Sequence, residues 1–157
     1  MSKSATRYSL APITEEYARQ VIVDMRDADA EEVWAMAGVG PHDAVMQSWK
    51  FSALRHATGL VDGRAVCVFG VGVQSILSDE GAPWLLGTRE LEQHARPFFR
   101  LSQAWMAETR QHYSLLANYV SARNVKSIRW LGWLGFTLAR EPVMFRGIPF
   151  YAFAWRR

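Results

Sequence analysis

The segment from Asn118 to Phe136 reads Asn-Tyr-Val-Ser-Ala-Arg-Asn-Val-Lys-Ser-Ile-Arg-Trp-Leu-Gly-Trp-Leu-Gly-Phe. It holds a strand end, a turn, one short helix and a tight exit into a second strand. Asn124 is placed to cap the helix, because its side chain can accept a backbone N–H that lacks a helical partner. Gly135 is placed to close it, because a residue without Cβ takes the left-handed conformation without strain. Phe136 restarts an extended run. A short capped helix between strands must bury its apolar stripe on a sheet, which points to α/β layering. The spacing Asn124, small Ser127, apolar Leu131, Gly135-Phe136 is the part that carries information.

The rest of the chain agrees with that layering. Residues 1–6 read as a flexible tail, and 7–157 as a single domain. Arg7–Pro12 reads as an edge strand. Thr14 is a helix cap followed by Glu15 and Glu16, where negative charge suits the helix dipole. Asp29-x-x-Glu32 has the spacing of a capping box, which predicts a second helix start there. Gly38 ends that helix, and Pro41 opens a third. The period then changes from helical to alternating. Asp62-Gly63 supplies the positive φ values of a tight hairpin. Ala65 to Val73 is apolar at both alternating sets, as in a strand buried on both faces. Ser78–Gly81 reads as a turn, Trp84–Thr88 as a strand, and Pro97 as the first turn of a long helix. Leu115–Val120 is a strand, and Phe136–Phe145 and Pro149–Trp155 form a closing hairpin across Arg146-Gly147. The order is βαααβββαβαββ. The link from Trp84–Thr88 to Leu115–Val120 is then a parallel crossover.

Composition excludes several classes. Half of the 157 residues are hydrophobic, so a packed core is expected rather than disorder. The net charge of +3 comes without the Lys/Arg stripe of a nucleic-acid binder. No apolar run approaches the ~20 residues of a membrane span, and no signal peptide is visible. The single Cys67 cannot form an internal disulfide, which fits a reducing compartment. No His, Cys and Asp group has metal-ligand spacing. Gly70-x-Gly72 lies inside a strand, so it is not a nucleotide loop.

The frame Asn124, Ser127, Leu131, Gly135-Phe136 resembles the last motif of the GCN5-related N-acetyltransferase (GNAT) superfamily. The wording Asn118-Tyr-Val, Arg123-Asn124, Ser127-Ile-Arg-Trp-Leu and Leu-Gly-Phe136 is similar to small GNAT-like proteins of short-tailed phages, some of them internal virion proteins. Met25-Arg-Asp-Ala-Asp-Ala-Glu-Glu32 and Pro83-Trp-Leu-Leu-Gly-Thr88 add to that likeness. The resemblance implies a mixed, twisted sheet with helices on both faces. Its central parallel strands, Trp84–Thr88 and Leu115–Val120, would splay apart.

The resemblance also implies where chemistry would sit. Acetyl-CoA enters the splay in such enzymes, and bare amides at the start of the long helix bind its pyrophosphate. Laid on this chain, the motif puts Gln93, Arg96 and Phe98 at the pyrophosphate loop and Asn124 at the following helix, as cofactor-binding positions. Arg96 and Phe98 stand where glycines belong, and Pro97 between them has no N–H to donate. Leu131 stands where a Tyr often protonates the departing thiolate. Tyr119 is the candidate substitute, and Glu90 the candidate base among Glu90, Glu92 and His94. Trp130 and Trp133 read either as a wide buried face or as a binding patch.

Two functions follow as expectations. The first is a phage-encoded GNAT-like protein with a degenerate acetyl-CoA site, acting through a virion or host protein in the virion or the host cytoplasm. The second is an active acetyl-CoA-dependent N-acyltransferase acting on an amine.

Overall fold

The computed structural model describes residues 2–73, 75 and 77–157. The elements run β1 (Tyr8–Ala11), α1 (Glu15–Val23), α2 (Asp27–Ala37), α3 (Pro41–Phe51), β2 (His56–Val61), β3 (Arg64–Gly72) and β4 (Glu80–Gly87). A 3₁₀ turn (Arg89–His94) then leads into α4 (Ala95–Thr109). β5 (Leu115–Ser121), α5 (Val125–Trp133), β6 (Thr137–Leu138), β7 (Val143–Phe145) and β8 (Ile148–Arg156) complete the chain. No helix among the described residues is long and apolar enough to cross a membrane.

The sheet follows the order β1-β2-β3-β4-β5-β8-β6, with β7 also pairing with β8. Every pairing is antiparallel except β4 with β5. The β2–β3 hairpin turns at Asp62 and Gly63, both at positive φ, as the Asp-Gly signal predicts. β3 is buried from Ala65 to Val71, which is why its sequence is apolar at both alternating sets.

Each face of the sheet has its own core. On one face, Ala18, Val21 and Met25 of the α1 region and Ala44 and Val45 of α3 pack on Leu60, Val68 and Leu86. α2 joins them through Ala35, which packs on Ile148 and Phe150. On the other face, Phe98 packs on Val66 and Cys67 of β3. Met106 packs on Leu116, Val120 and Phe153, alongside Leu131 and Trp130 of α5. The expected single α/β domain with helices on both faces is what these layers form.

The Asn118–Phe136 segment folds as its residues dictate. Asn124 accepts the Ser127 N–H at 3.3 Å and caps α5. Gly135 takes φ +90°, where a Cβ would stand 3.4 Å from the Arg110 guanidinium. Arg110 donates to the Leu134 carbonyl and seals the helix exit. Trp130 packs edge-on against Phe99, whereas Trp133 stays 59 % exposed.

Three local expectations need correction. α2 begins at Asp27, so Asp29 is not its cap; Asp29 turns inward and pairs with buried Arg26. Glu80 and Gly81 belong to β4 and not to a turn, because β5 pairs with them there. The stretch Phe136–Phe145 is broken into β6 and β7; between them Ala139 N–H still donates to the Ala152 carbonyl at 2.8 Å, and residues 140–142 belong to no strand.

Candidate functional site

β4 and β5 pair only at Glu80 with Leu115 and Gly81 with Leu116. Beyond that point the strands part. Asn118 spans the start of the gap, donating from Nδ2 to the Pro83 carbonyl at 3.0 Å. A strand turns the polar groups of successive residues to opposite edges. Gly87, like Pro83, turns its groups to the gap: its carbonyl accepts the Arg26 N–H at 2.9 Å, and its N–H donates to Asp29 Oδ2 at 2.7 Å. Leu85 lies midway between them. Its N–H and C=O therefore face the gap too, where no strand pairs with β4. On the opposite wall, Ser121 N–H donates to Glu32 Oε1 at 3.0 Å. The Tyr119 N–H is taken up by Asn118 Oδ1 at 2.8 Å.

The gap opens into a cleft of about 520 Å³ that runs through the sheet. Val33 and Met36 of α2, Ala44 of α3 and Trp84 line it on one side of the sheet. Trp105 and Met106 of α4 and Trp130 and Leu131 of α5 line it on the other. These walls are mainly apolar, so a polar ligand group inside meets few competing waters.

Three carboxylates reach the cleft, and their surroundings differ. Asp29 is held by both arms of Arg26, with Nε to Oδ2 at 2.9 Å and Nη2 to Oδ1 at 2.7 Å. Both residues are buried, so this is a neutralised pair in low dielectric. Glu92 meets Lys126 Nζ at 2.6 Å and Arg26 Nη1 at 3.9 Å, at the α4 side of the cleft. Glu32 has only neutral donors: Ser121 N–H and Asn124 Nδ2, both at 3.0 Å and both on Oε1. Oε2 has no hydrogen-bond partner among the described residues. Burial pushes the Glu32 carboxyl up to about 7, with Asp29 adding to the rise and the two donors and Arg26 opposing it.

The residues singled out in the sequence fall at different places. Tyr119 lines the cleft, is 39 % exposed, and rests edge-on against Phe145. Asn124 stands beside the cleft and orients Glu32 while capping α5. Gln93 and Arg96 are exposed and outside the cleft lining. Phe98 is buried on the far side of α4, edge-on to Tyr8, so its ring does not plug the gap. Glu90 also lies outside the lining, 2.6 Å from Arg64 and 3.4 Å from His94. Leu131 lines the cleft as an apolar wall. Cys67 is fully enclosed, and burial pushes its thiol up to about 12, which makes it an inert core residue. No group among the described residues could hold a metal ion.

The start of α4 is not a bare anion cradle. The 3₁₀ turn runs directly into it, and Glu92 within that turn brings a negative charge to the cleft. The amide groups of an acyl-pantetheine arm fit the cleft, because Leu85 turns an N–H and a C=O toward a gap in which no strand among the described residues pairs with it. Near the start of α4 the charged groups of the cleft are Glu92, paired with Lys126 at 2.6 Å, and Arg129 of α5.

Glu32 and Asp29 read in the sequence as a helix start and as part of the Met25–Glu32 likeness, not as site residues. The signal that could have found them was their spacing: two carboxylates one turn apart share a helix face, and the same face carries Val33 and Met36 toward the core.

No family model matches the sequence, and no curated protein matches it. Solved structures match over nearly the whole chain. An acetyltransferase of the GNAT family from Streptococcus pneumoniae is 11 % identical and covers 96 % of this chain and 100 % of its own, with a TM-score of 0.62. The spermidine N-acetyltransferase from Vibrio cholerae, in complex with CoA and spermine, is 10 % identical and covers 95 % of each chain, with a TM-score of 0.64. The GNAT domain of PAT from S. lividans is 15 % identical and covers 93 % of this chain and 89 % of its own, with a TM-score of 0.64. At such identities the likeness establishes the fold: this chain has the GNAT acetyltransferase fold.

Proposed function

We propose that the chain is an N-acyltransferase whose cleft takes the arm of an acyl thioester of the CoA type. The observation that carries this reading is the unpaired Leu85 edge inside an open, mainly apolar cleft. An extended chain bearing amides completes such an edge as an added strand would. Acetyl-pantetheine has two amides in an extended arm, and the spermidine acetyltransferase of the same fold holds CoA. The arm orients the thioester, and the cleft excludes water from it. On this reading Tyr119, which lines the cleft, returns a proton to the departing sulfur. The arm is then the main source of affinity, because Glu92 already occupies Lys126 beside α4.

A thermal-unfolding series tests this. S-acetylpantetheine should raise the melting temperature, and acetyl-CoA should raise it by little more. Free thiol should then appear when amines are added. No stabilisation by either thioester at millimolar concentration would remove the reading.

A second reading is favoured by the Glu92–Lys126 pair beside α4 and by Leu131 in place of a proton donor. On it, the chain is a phage-type GNAT-like protein whose acetyl-CoA site is degenerate, and it works by binding a virion or host protein. Exposed Trp133 and Val125 on α5 are the surface that reading would use. Silence in the thermal series, together with loss of a captured partner in Trp133→Ala, would support it.

A further inference from the structure

Among the described residues, Glu32 is the carboxylate of the cleft that no cation neutralises. Asp29 has Arg26, and Glu92 has Lys126. A charge left without a counter-ion in an apolar setting invites one from a ligand. We propose that Glu32 holds an acceptor amine carried on an apolar body and takes up its proton. This rests on the acyl-transfer reading above.

The geometry supports each part. Ser121 N–H and Asn124 Nδ2 both engage Oε1 and fix the carboxyl plane. Oε2 is left for the ligand. The same cleft is walled on the α2 side by Val33, Met36, Ala44 and Trp84, which suit a hydrocarbon or aromatic body rather than a polycation. The other charged groups facing Glu32 are Asp29 on its own helix and Arg26 at the helix start, already committed to each other. Its hydrogen-bond donors from β5 and the α5 cap are neutral, and of the α5 cations that line the cleft Lys126 is paired with Glu92 and Arg129 forms no ion pair with Glu32.

The chemistry balances. An ammonium ion enters and gives one proton to Oε2. Its nitrogen lone pair attacks the thioester carbonyl carbon, forming the C–N bond. The C–S bond breaks, and the sulfur leaves as thiolate. The nitrogen then loses its second proton and the thiolate gains one, so the products are an amide, a thiol and protonated Glu32. Glu32 returns its proton to water. A carboxyl pushed up to about 7 by burial is a stronger base than an ordinary one.

Two measurements test the proposal with phenethylamine and spermidine as probes. In thermal unfolding at pH 8, phenethylamine should stabilise the wild type, and do so more than spermidine. Glu32→Gln keeps the Oε1 acceptor and so should fold, but should lose that stabilisation while keeping the response to S-acetylpantetheine. In thiol release from S-acetylpantetheine with phenethylamine, Glu32→Gln should lower kcat/KM by roughly 100-fold and abolish a rising pH limb near 7. Equal stabilisation of wild type and variant by phenethylamine, or none in either, overturns the proposal. Spermidine stabilising the wild type as well as phenethylamine does overturns the apolar specificity. Glu32-dependent amine binding without thiol release would instead sink the transfer reading and the base role with it, and leave the amine site standing.

Discussion

Asp29 and Glu32, one turn apart on α2, peg the two opposite walls of the cleft. Asp29 accepts the Gly87 N–H at the end of β4, and Glu32 accepts the Ser121 N–H at the end of β5. Where β4 and β5 part, their inner edges lose ladder partners. A single helix supplies replacement acceptors at both strand ends, for Gly87 on β4 and Ser121 on β5, and leaves the Leu85 edge between them open.

Asp29→Ala should therefore be costly. It strands the Arg26 cation in a buried site and leaves the Gly87 N–H without its acceptor. Breaking one partner of a buried pair costs about 3–5 kcal/mol. Urea denaturation at pH 7 should show a loss of that order, with Asp29→Asn losing less because its amide oxygen can still accept. A loss below about 1 kcal/mol, the scale of an ordinary surface change, would mean that the pair does not hold this wall.

Glu32 should give the fold a pH dependence of unusual sign. Its carboxyl is raised by burial to about 7, from 4.5. The folded state thus keeps the proton over a range where the unfolded chain has released it. The contribution is fully present below about 4.5 and is lost as pH rises to about 7, by up to about 3 kcal/mol. Denaturation midpoints of wild type and Glu32→Gln, taken from pH 4 to 8, isolate this term. The wild type should lose stability relative to the variant across that window. A constant difference between them would show that Glu32 does not titrate there.

Much of the architecture was legible in the sequence because it rests on local chemistry. Thr14 accepts from Tyr17 N–H, Asp62-Gly63 turns a hairpin, and Asn124 and Gly135 bound α5, all at the predicted places. Each depends on residues within a few positions. The chemistry of the cleft was less legible. Glu32 acquires its burial and its orientation from distant parts of the chain, held by Ser121 and Asn124, 89 and 92 positions away, and no spacing rule joins them. The same holds for Asp29, whose capping-box pattern was outweighed by a buried guanidinium and a distant amide. Phe98 occupies a motif position by count, yet the rotation of α4 turns it into the core. Position along a helix does not by itself tell which side of that helix the cleft is on.

Asn124 links the legible frame to the cleft. Its Oδ1 caps α5 and its Nδ2 donates to Glu32. Asn124→Ala removes both, and losing the cap alone costs about 1 kcal/mol. Asn124→Ser offers a hydroxyl to the Ser127 N–H and should recover the cap without recovering the Nδ2 contact. In both variants the Glu32 carboxyl should titrate higher than in the wild type, because a donor that favours its charged form is gone. Carboxyl chemical shifts followed against pH report this directly. A Glu32 titration unchanged in Asn124→Ala would remove Asn124 from the site.

The Leu85 edge yields a test that separates ligand binding from folding. Leu85→Pro deletes the N–H that faces the gap, and proline is tolerated in strands where that N–H is unpaired. The residue before it, Trp84, is already extended within β4, as a residue preceding proline must be. The variant should therefore fold, with far-UV circular dichroism close to wild type. It should bind S-acetylpantetheine about tenfold more weakly, the effect of one hydrogen bond lost in a site shielded from water. Leu85→Ala trims the side chain but keeps the N–H, and should bind within about threefold of wild type if the backbone group is what the ligand uses. The ordering is the decisive point. If Leu85→Ala weakens binding more than Leu85→Pro, the ligand reads the side-chain wall and not the strand edge. If Leu85→Pro fails to fold, the Leu85 N–H has a structural partner, and the unpaired edge on which the acyl-arm reading stands is not there.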